Sequence, residues 1–196
     1  MLTALRETDL DSLGLWVVPL KQTALAMADY SGLAAFNILI IDDNAQMRTI
    51  VGTVLAAAGV RNLHYAQDGR QGLELLAQRA IDVVFVDLEM PVMNGLAFIQ
   101  AARGLAGPRR RTPIIMLTGH CDGPSVVRAR DYGVDEFLGK PVTAKSILSR
   151  LEAVIFRPRS FVVAPGYVGP DRRRRALAGY SGPRRRQTDL APVLEL

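Results

Sequence analysis

Between Asn37 and Phe156 the chain alternates short, nearly unbroken apolar runs with longer stretches whose apolar residues recur every three or four positions. The runs Ile38–Ile41, Val83–Val86 and Ile114–Leu117, with shorter pieces around Leu63–Tyr65 and Phe137–Leu138, have strand length. After the first run, Met47, Ile50, Val51, Val54, Leu55 and Ala58 lie at helical spacing, with Asn44 placed to cap and Gly59 to stop the helix. Asp68-Gly69 turns the chain into a helix carrying Leu73, Leu75 and Leu76, and Asn94-Gly95 precedes one carrying Leu96, Phe98 and Ile99. A weaker helix is expected over Ser125–Tyr132, broken by Gly133, and a strong one over Thr143–Phe156 with Ile147, Leu148, Leu151, Val154 and Ile155 on one face. Five strand-helix units in succession, with strands apolar throughout, predict an α/β domain. Its sheet is parallel and covered on both faces, because right-handed crossovers place helices over each side.

The polar residues that end these runs are the chemically informative ones. The first run leads into Asp42-Asp43, the third into Asp87, the fourth into Thr118 and the fifth into Lys140-Pro141. An open parallel sheet gathers the carboxyl ends of its strands along one edge, where such folds bind ligands. Three carboxylates, a hydroxyl and an ammonium would meet there, the groups a phosphoryl-transfer site needs for positioning and charge stabilisation. No Gly-rich phosphate loop competes with this reading. Gly69-Arg70-Gln71-Gly72 is too short and lacks the Lys-Ser/Thr ending, and no dinucleotide fingerprint follows the first strand.

Charge divides the chain unevenly. Met1–Phe156 carries 15 basic and 16 acidic residues, net −1, whereas Arg157–Leu196 carries 9 and 3, net +6, which together make the +5 of the whole. Within that second segment Tyr167-Val168-Gly169-Pro170-Asp171-Arg172-Arg173-Arg174-Arg175 partly recurs as Tyr180-Ser181-Gly182-Pro183-Arg184-Arg185-Arg186. A stretch so rich in Gly, Pro and Arg is expected to be a disordered basic tail. Clustered arginines there would suit an acidic protein, an anionic membrane or nucleic acid, although no helix-turn-helix or zinc-ligand spacing follows the domain. Residues 1–36 read as an N-terminal extension, 37–156 as the domain and 157–196 as the tail. The single cysteine, Cys121, excludes an internal disulfide. No apolar stretch approaches the roughly 18 residues of a membrane span, and with Glu7, Asp9 and Asp11 near the start no secretory signal is evident. A cytoplasmic protein is expected.

The acidic pair Asp42-Asp43, the segment Asp87-Leu88-Glu89-Met90-Pro91-Val92-Met93-Asn94-Gly95, Thr118-Gly119 and Phe137-Leu138-Gly139-Lys140-Pro141, in this order and spacing, resemble the receiver domain of two-component response regulators. The resemblance covers Asn37–Phe156. It implies a flavodoxin-like, doubly wound five-stranded sheet of order 2-1-3-4-5, Asp87 as phosphoryl acceptor, and a bound Mg²⁺. The ion would take Asp43, Asp87 and the Glu89 backbone carbonyl directly and Asp42 through water. Lys140 would then offer charge to the phosphoryl group, and Thr118 and Phe137 would carry the switch. The same likeness implies a cis peptide at Lys140-Pro141 and, as partners, a histidine kinase or histidine phosphotransfer protein upstream and a protein downstream. Glu89 and His120, each two residues beyond a site residue, are candidates for tuning phosphoryl lifetime, without a readable direction.

The expected activity is that of a stand-alone signalling protein that catalyses only its own phosphorylation and dephosphorylation. A phosphorylation-independent adaptor acting through the Arg-rich tail is the alternative, and a small hydrolase using the same strand edge is a weaker one. Intact Asp43, Asp87, Thr118 and Lys140 count against the adaptor, since a pure scaffold gains nothing from clustered like charges.

Overall fold

The computed structural model describes residues 30–119 and 130–172. The chain divides into a unit Met1–Gly32 and a unit Leu33–Leu196, and the second contains every element discussed below. Leu33, shortly before the expected start of the domain at Asn37, is buried with the core.

Five parallel strands form the sheet: β1 (Asn37–Ile41), β2 (Asn62–Ala66), β3 (Val83–Asp87), β4 (Ile114–Thr118) and β5 (Glu136–Gly139), in the order β2-β1-β3-β4-β5. This is the expected flavodoxin-like order. β1, β3 and β4 are buried almost throughout, as the centre of a sheet covered on both faces must be. Helices α1 (Ala45–Ala57), α2 (Gly69–Gln78), α3 (Gly95–Arg103) and α4 (Ala144–Phe156) follow β1, β2, β3 and β5. The helix expected over Ser125–Tyr132 lies mostly outside the described residues, which rejoin the chain in its last turn at Arg130 and Asp131.

Local chemistry explains where the helices start. The Asn44 side chain accepts from the amides of Gln46 and Met47 at the head of α1, Asn94 accepts from Ala97 at the head of α3, and Thr143 and Ser146 cap α4 reciprocally. Gly59 sits just past α1 with φ 98°, a stop only glycine adopts freely. Against the sheet, Leu39, Ile41, Leu76, Val84, Val86, Phe98, Ile99 and Met116 pack into one apolar cluster.

The segment after Phe156 departs in part from the expected disorder. Strands β6 (Phe161–Ala164) and β7 (Tyr167–Pro170) pair antiparallel as a hairpin, and Tyr167 is buried. The hairpin is bound to the domain through its arginines. Arg159 donates to the carbonyls of Val134, Asp135 and Asp171, Arg172 pairs with Asp131 at 2.9 Å, and the Arg172 guanidinium stacks 4.0 Å over the Tyr167 ring. Gly133 and Gly169 let the two backbones meet: a Cβ on Gly169 would stand 2.6 Å from the Gly133 Cα. The first copy of the Tyr-x-Gly-Pro repeat is thus a docking motif, in which the tyrosine hydroxyl donates to Pro170, the glycine allows contact and the arginine reaches the domain. The second copy lies outside the described residues.

Candidate functional site

β1 and β3 are neighbours, with Ile41 beside Val86, so the residues that follow them emerge side by side at the carboxyl edge. Asp42 is 1% exposed and Asp87 5%, whereas Asp43 faces solvent. One carboxylate oxygen from each of the three lies within 4.8 Å of the other two. From the far side of the sheet, β5 delivers Lys140, whose Nζ is 2.8 Å from Asp87 Oδ1 and 3.3 Å from Asp42 Oδ2. The Lys140 backbone amide donates to the Thr118 carbonyl, and the Lys140–Pro141 peptide is cis, as expected. The three carboxylates and the Lys140 ammonium thus lie together at the edge, and the end of β4 at Thr118 is tied to Lys140 through the backbone.

Thr118 is buried at the end of β4. Met116 is paired with Phe137 and Thr118 with Gly139, so the two-residue period of a strand puts Thr118 and the half-buried Phe137 on the same face of adjacent strands. Among the described residues, nothing lies within 4 Å of the place a Gly119 Cβ would occupy beside Thr118. Glu89 is exposed on the loop after β3, and His120 lies outside the described residues.

The loop that carries Asp87 is held by a close backbone approach. The Gly95 amide donates to the Leu88 carbonyl at 3.0 Å, and a Cβ on Gly95 would stand 2.3 Å from the Asp87 carbonyl oxygen. A glycine is required there for the start of α3 to pass under the acceptor. Val92 on this loop is 81% exposed with φ 65°, a left-handed conformation that β-branched residues seldom adopt.

Arg48 was not singled out from the sequence. Its guanidinium donates to the backbone carbonyls of Asp42 at 2.6 Å and Asp43 at 3.2 Å, bracing the turn from which both carboxylates project. Asp42 Oδ1 in turn accepts from the Asn44 amide. The sequence signal was available in principle, since an arginine one helical turn after a cap can reach back over it, but it carries no weight without the turn's geometry.

Burial raises the Asp87 carboxyl above its ordinary range, Lys140 opposes that, and the neighbouring Asp42 charge adds to it. Lys140 moves up as well: burial favours its neutral amine, but the bonds and charges of Asp87 and Asp42 outweigh this. The edge therefore combines an electron-rich oxygen cluster with one fixed cation. Among the described residues the clustered ligand atoms are carboxylate oxygens, the donor type that a hard divalent ion such as Mg²⁺ takes.

Residues 38–152 match the response regulator receiver domain, over more than half of the chain. The chain belongs to the response regulator receiver domain family. It is 32% identical over 118 residues to a probable chemotaxis protein CheY of Rhizobium etli, covering 60% of this chain and 90% of that one. It is also 32% identical to the transcriptional regulatory protein CpxR of Escherichia coli, but spans only 49% of that protein. Among solved structures, the chemotaxis response regulator CheY4 of Vibrio cholerae superposes with a TM-score of 0.58 at 31% identity, covering 61% of this chain and 98% of that one. The receiver match ends before the β6–β7 hairpin, which is an addition to the family core.

Receivers bind Mg²⁺ at an acidic cluster, and this receiver has one. Three carboxylates held together repel one another, so an ion that binds only the folded state should stabilise it by mass action. At about 100 times Kd the gain is about 2.7 kcal/mol, or roughly 5–10 °C in Tm for a domain of this size. Melting in MgCl₂ against NaCl of equal ionic strength measures it, and equal midpoints would count against the cluster as a cation site.

Proposed function

We propose that this receiver accepts a phosphoryl group on Asp87 from the phosphohistidine of a histidine kinase or phosphotransfer protein, and signals to a downstream protein through a changed surface. The single observation that carries this reading is the contact between Lys140 and the buried Asp87 inside the three-carboxylate cluster. An ammonium 2.8 Å from a carboxylate oxygen stands where an incoming phosphoryl group would develop charge.

In the transfer, an Asp87 carboxylate oxygen attacks phosphorus in line as the N–P bond of the donor breaks, its electron pair staying on a ring whose other nitrogen carries a proton, which leaves an acyl phosphate on Asp87 and a neutral imidazole on the donor. Asp87 supplies the nucleophile, and its burial keeps competing water from much of its surface. Lys140 exchanges part of its bond to Asp87 for the phosphoryl oxygens. Asp43, Asp87, the Glu89 carbonyl and, through water, Asp42 would hold Mg²⁺, which when bound neutralises phosphoryl charge. Arg48 keeps Asp42 and Asp43 aimed at the site.

A phosphoryl group adds about 1.5 to 2 negative charges and three acceptor oxygens. The Thr118 hydroxyl can turn toward them, and the space it leaves, enlarged by Gly119, admits the Phe137 ring. Inverting a 99:1 ratio of inactive to active forms by this route takes about 5.5 kcal/mol of differential stabilisation. Glu89 and His120 are retained as candidates for setting how long the acyl phosphate lasts.

Incubation with a small acyl phosphate and Mg²⁺, followed by intact-mass measurement, should show the gain of one phosphoryl group. The gain should disappear when a chelator removes Mg²⁺. Failure to gain mass under conditions that label another receiver would overturn the reading.

A further inference from the structure

Helices in this fold run antiparallel to the strands, so helix ends and strand beginnings share the edge opposite Asp87. That edge collects arginines. Arg61 precedes β2, Arg79 closes α2, Arg109–Arg111 form a 3₁₀ turn before β4, and Arg157 closes α4. Arg61, Arg79, Arg109, Arg111 and Arg157 are all exposed, and none makes an ion pair among the described residues. The acidic residues at this edge are largely engaged: Asp82 accepts from Asn37, Asp131 pairs with Arg172, and Asp135 pairs with Arg103. With strands about 4.8 Å apart, the row from β2 to β5 is about 20 Å long.

Complementing the negative ends of the helices accounts for Arg79 and Arg157. It does not account for Arg61, Arg109 or Arg111, which lie in connections. Nor does it account for the apolar groups beside them. Phe156, next to Arg157, is 62% exposed, and Val163 on the hairpin packed against this edge is 43% exposed. The guanidinium of Arg111 stacks on Phe161 of the same hairpin at 5.6 Å.

We propose that this arginine edge seats the domain on an anionic phospholipid surface. A row of unpaired guanidiniums matches headgroup phosphates, to which arginine binds bidentately. Phe156 and Val163 supply the apolar insertion that makes a polybasic contact hold, a second signal that a nucleic-acid backbone would not use. Seated this way, the opposite edge, with Asp43 and Asp87, faces away from the lipid and stays open to a phosphoryl donor. The attachment is peripheral, since no helix among the described residues is long and apolar enough to cross a membrane.

The test is co-sedimentation of the full chain with vesicles of equal parts phosphatidylglycerol and phosphatidylcholine, beside vesicles of phosphatidylcholine alone. Binding is expected only to the anionic vesicles, and it should weaken as salt rises past about 0.1 M. The triple variant R109Q/R111Q/R157Q should bind about 100-fold more weakly and Phe156→Ser about tenfold. Both should keep phosphoryl uptake and a cooperative melt, the triple variant's midpoint falling by no more than about 5 °C for the lost Arg111 stack and the lost charge at the end of α4, and Asp87→Asn should bind as wild type does. No binding to anionic vesicles would overturn the proposal. So would binding that ignores the triple variant and vanishes only on removal of residues 173–196, which would place the contact in that segment. Tighter binding to a DNA or RNA duplex, unaffected by Phe156→Ser, would reassign the edge to nucleic acid and equally overturn it.

Discussion

Asp87→Asn is expected to abolish phosphoryl uptake completely while leaving the domain folded. The amide keeps the shape of the carboxyl but loses the anionic oxygen that must form the bond to phosphorus, so no rate remains to be measured by intact mass. Loss of folding is not expected to contribute. Burial already disfavours the charged form of Asp87, and Asp42 adds repulsion, so removing the charge relieves strain in the cluster. The variant should therefore melt no lower than wild type in metal-free buffer, and Mg²⁺ should stabilise it less. Lys140→Ala is the companion. It leaves the nucleophile intact but removes the cation 2.8 Å away, and should slow uptake by about 10²–10³-fold, the usual cost of one positioned donor to a developing charge. A mass gain of one phosphoryl group on the Asp87→Asn protein would place the acceptor elsewhere and remove the basis of the proposed function.

The sequence announced the sheet because its central strands are buried on both faces. Val83–Val86 and Ile114–Leu117 had to be nearly continuous apolar runs, and runs of that kind, separated by helical periodicity, admit few arrangements. Asp42, Asp43, Asp87, Thr118 and Lys140 were legible for a related reason: each ends a strand, so strand direction alone brings them to one edge. Arg48, Arg103 and the hairpin were not legible. Arg103 reads as a charge in the last turn of a helix, where solvation and dipole complementarity are sufficient reasons for it. Its actual role depends on Asp135, thirty-two residues away, and on carbonyls that only the folded chain brings near. The hairpin was misjudged because Gly, Pro and Arg usually signal a chain that cannot bury a core. Here the glycine permits contact with Gly133, and the arginines bind carbonyls and ring faces, so the segment docks with little apolar area.

Arg103→Met should cost the fold about 3–5 kcal/mol, the usual result of breaking a buried pair from one side. Arg103 is 4% exposed and ties together pieces that follow α3, precede β4 and precede β5. It donates to the carbonyls of Arg110, Thr112 and Gly133 and to Asp135 Oδ2 at 2.7 Å, while Phe161 of the hairpin covers it at 5.5 Å. Methionine fills much of the volume but satisfies none of these acceptors. Asp135 would be left with the Ile114 amide as its remaining side-chain partner, in a site where burial already raises its carboxyl and Arg103 is the largest force holding it down. That gives the loss a pH signature. A carboxyl whose folded pKa lies above its unfolded value penalises the fold where it must ionise, and the penalty fades as pH falls toward the unfolded value. Removing the arginine pushes the folded value higher, so the gap between variant and wild type should be widest near neutral pH and narrow as pH drops toward 4. Urea denaturation of both proteins across that range measures it. A gap that stays below about 0.5 kcal/mol at neutral pH, within the ordinary range of surface substitutions, would show that the pair does not hold the hairpin end of the domain together.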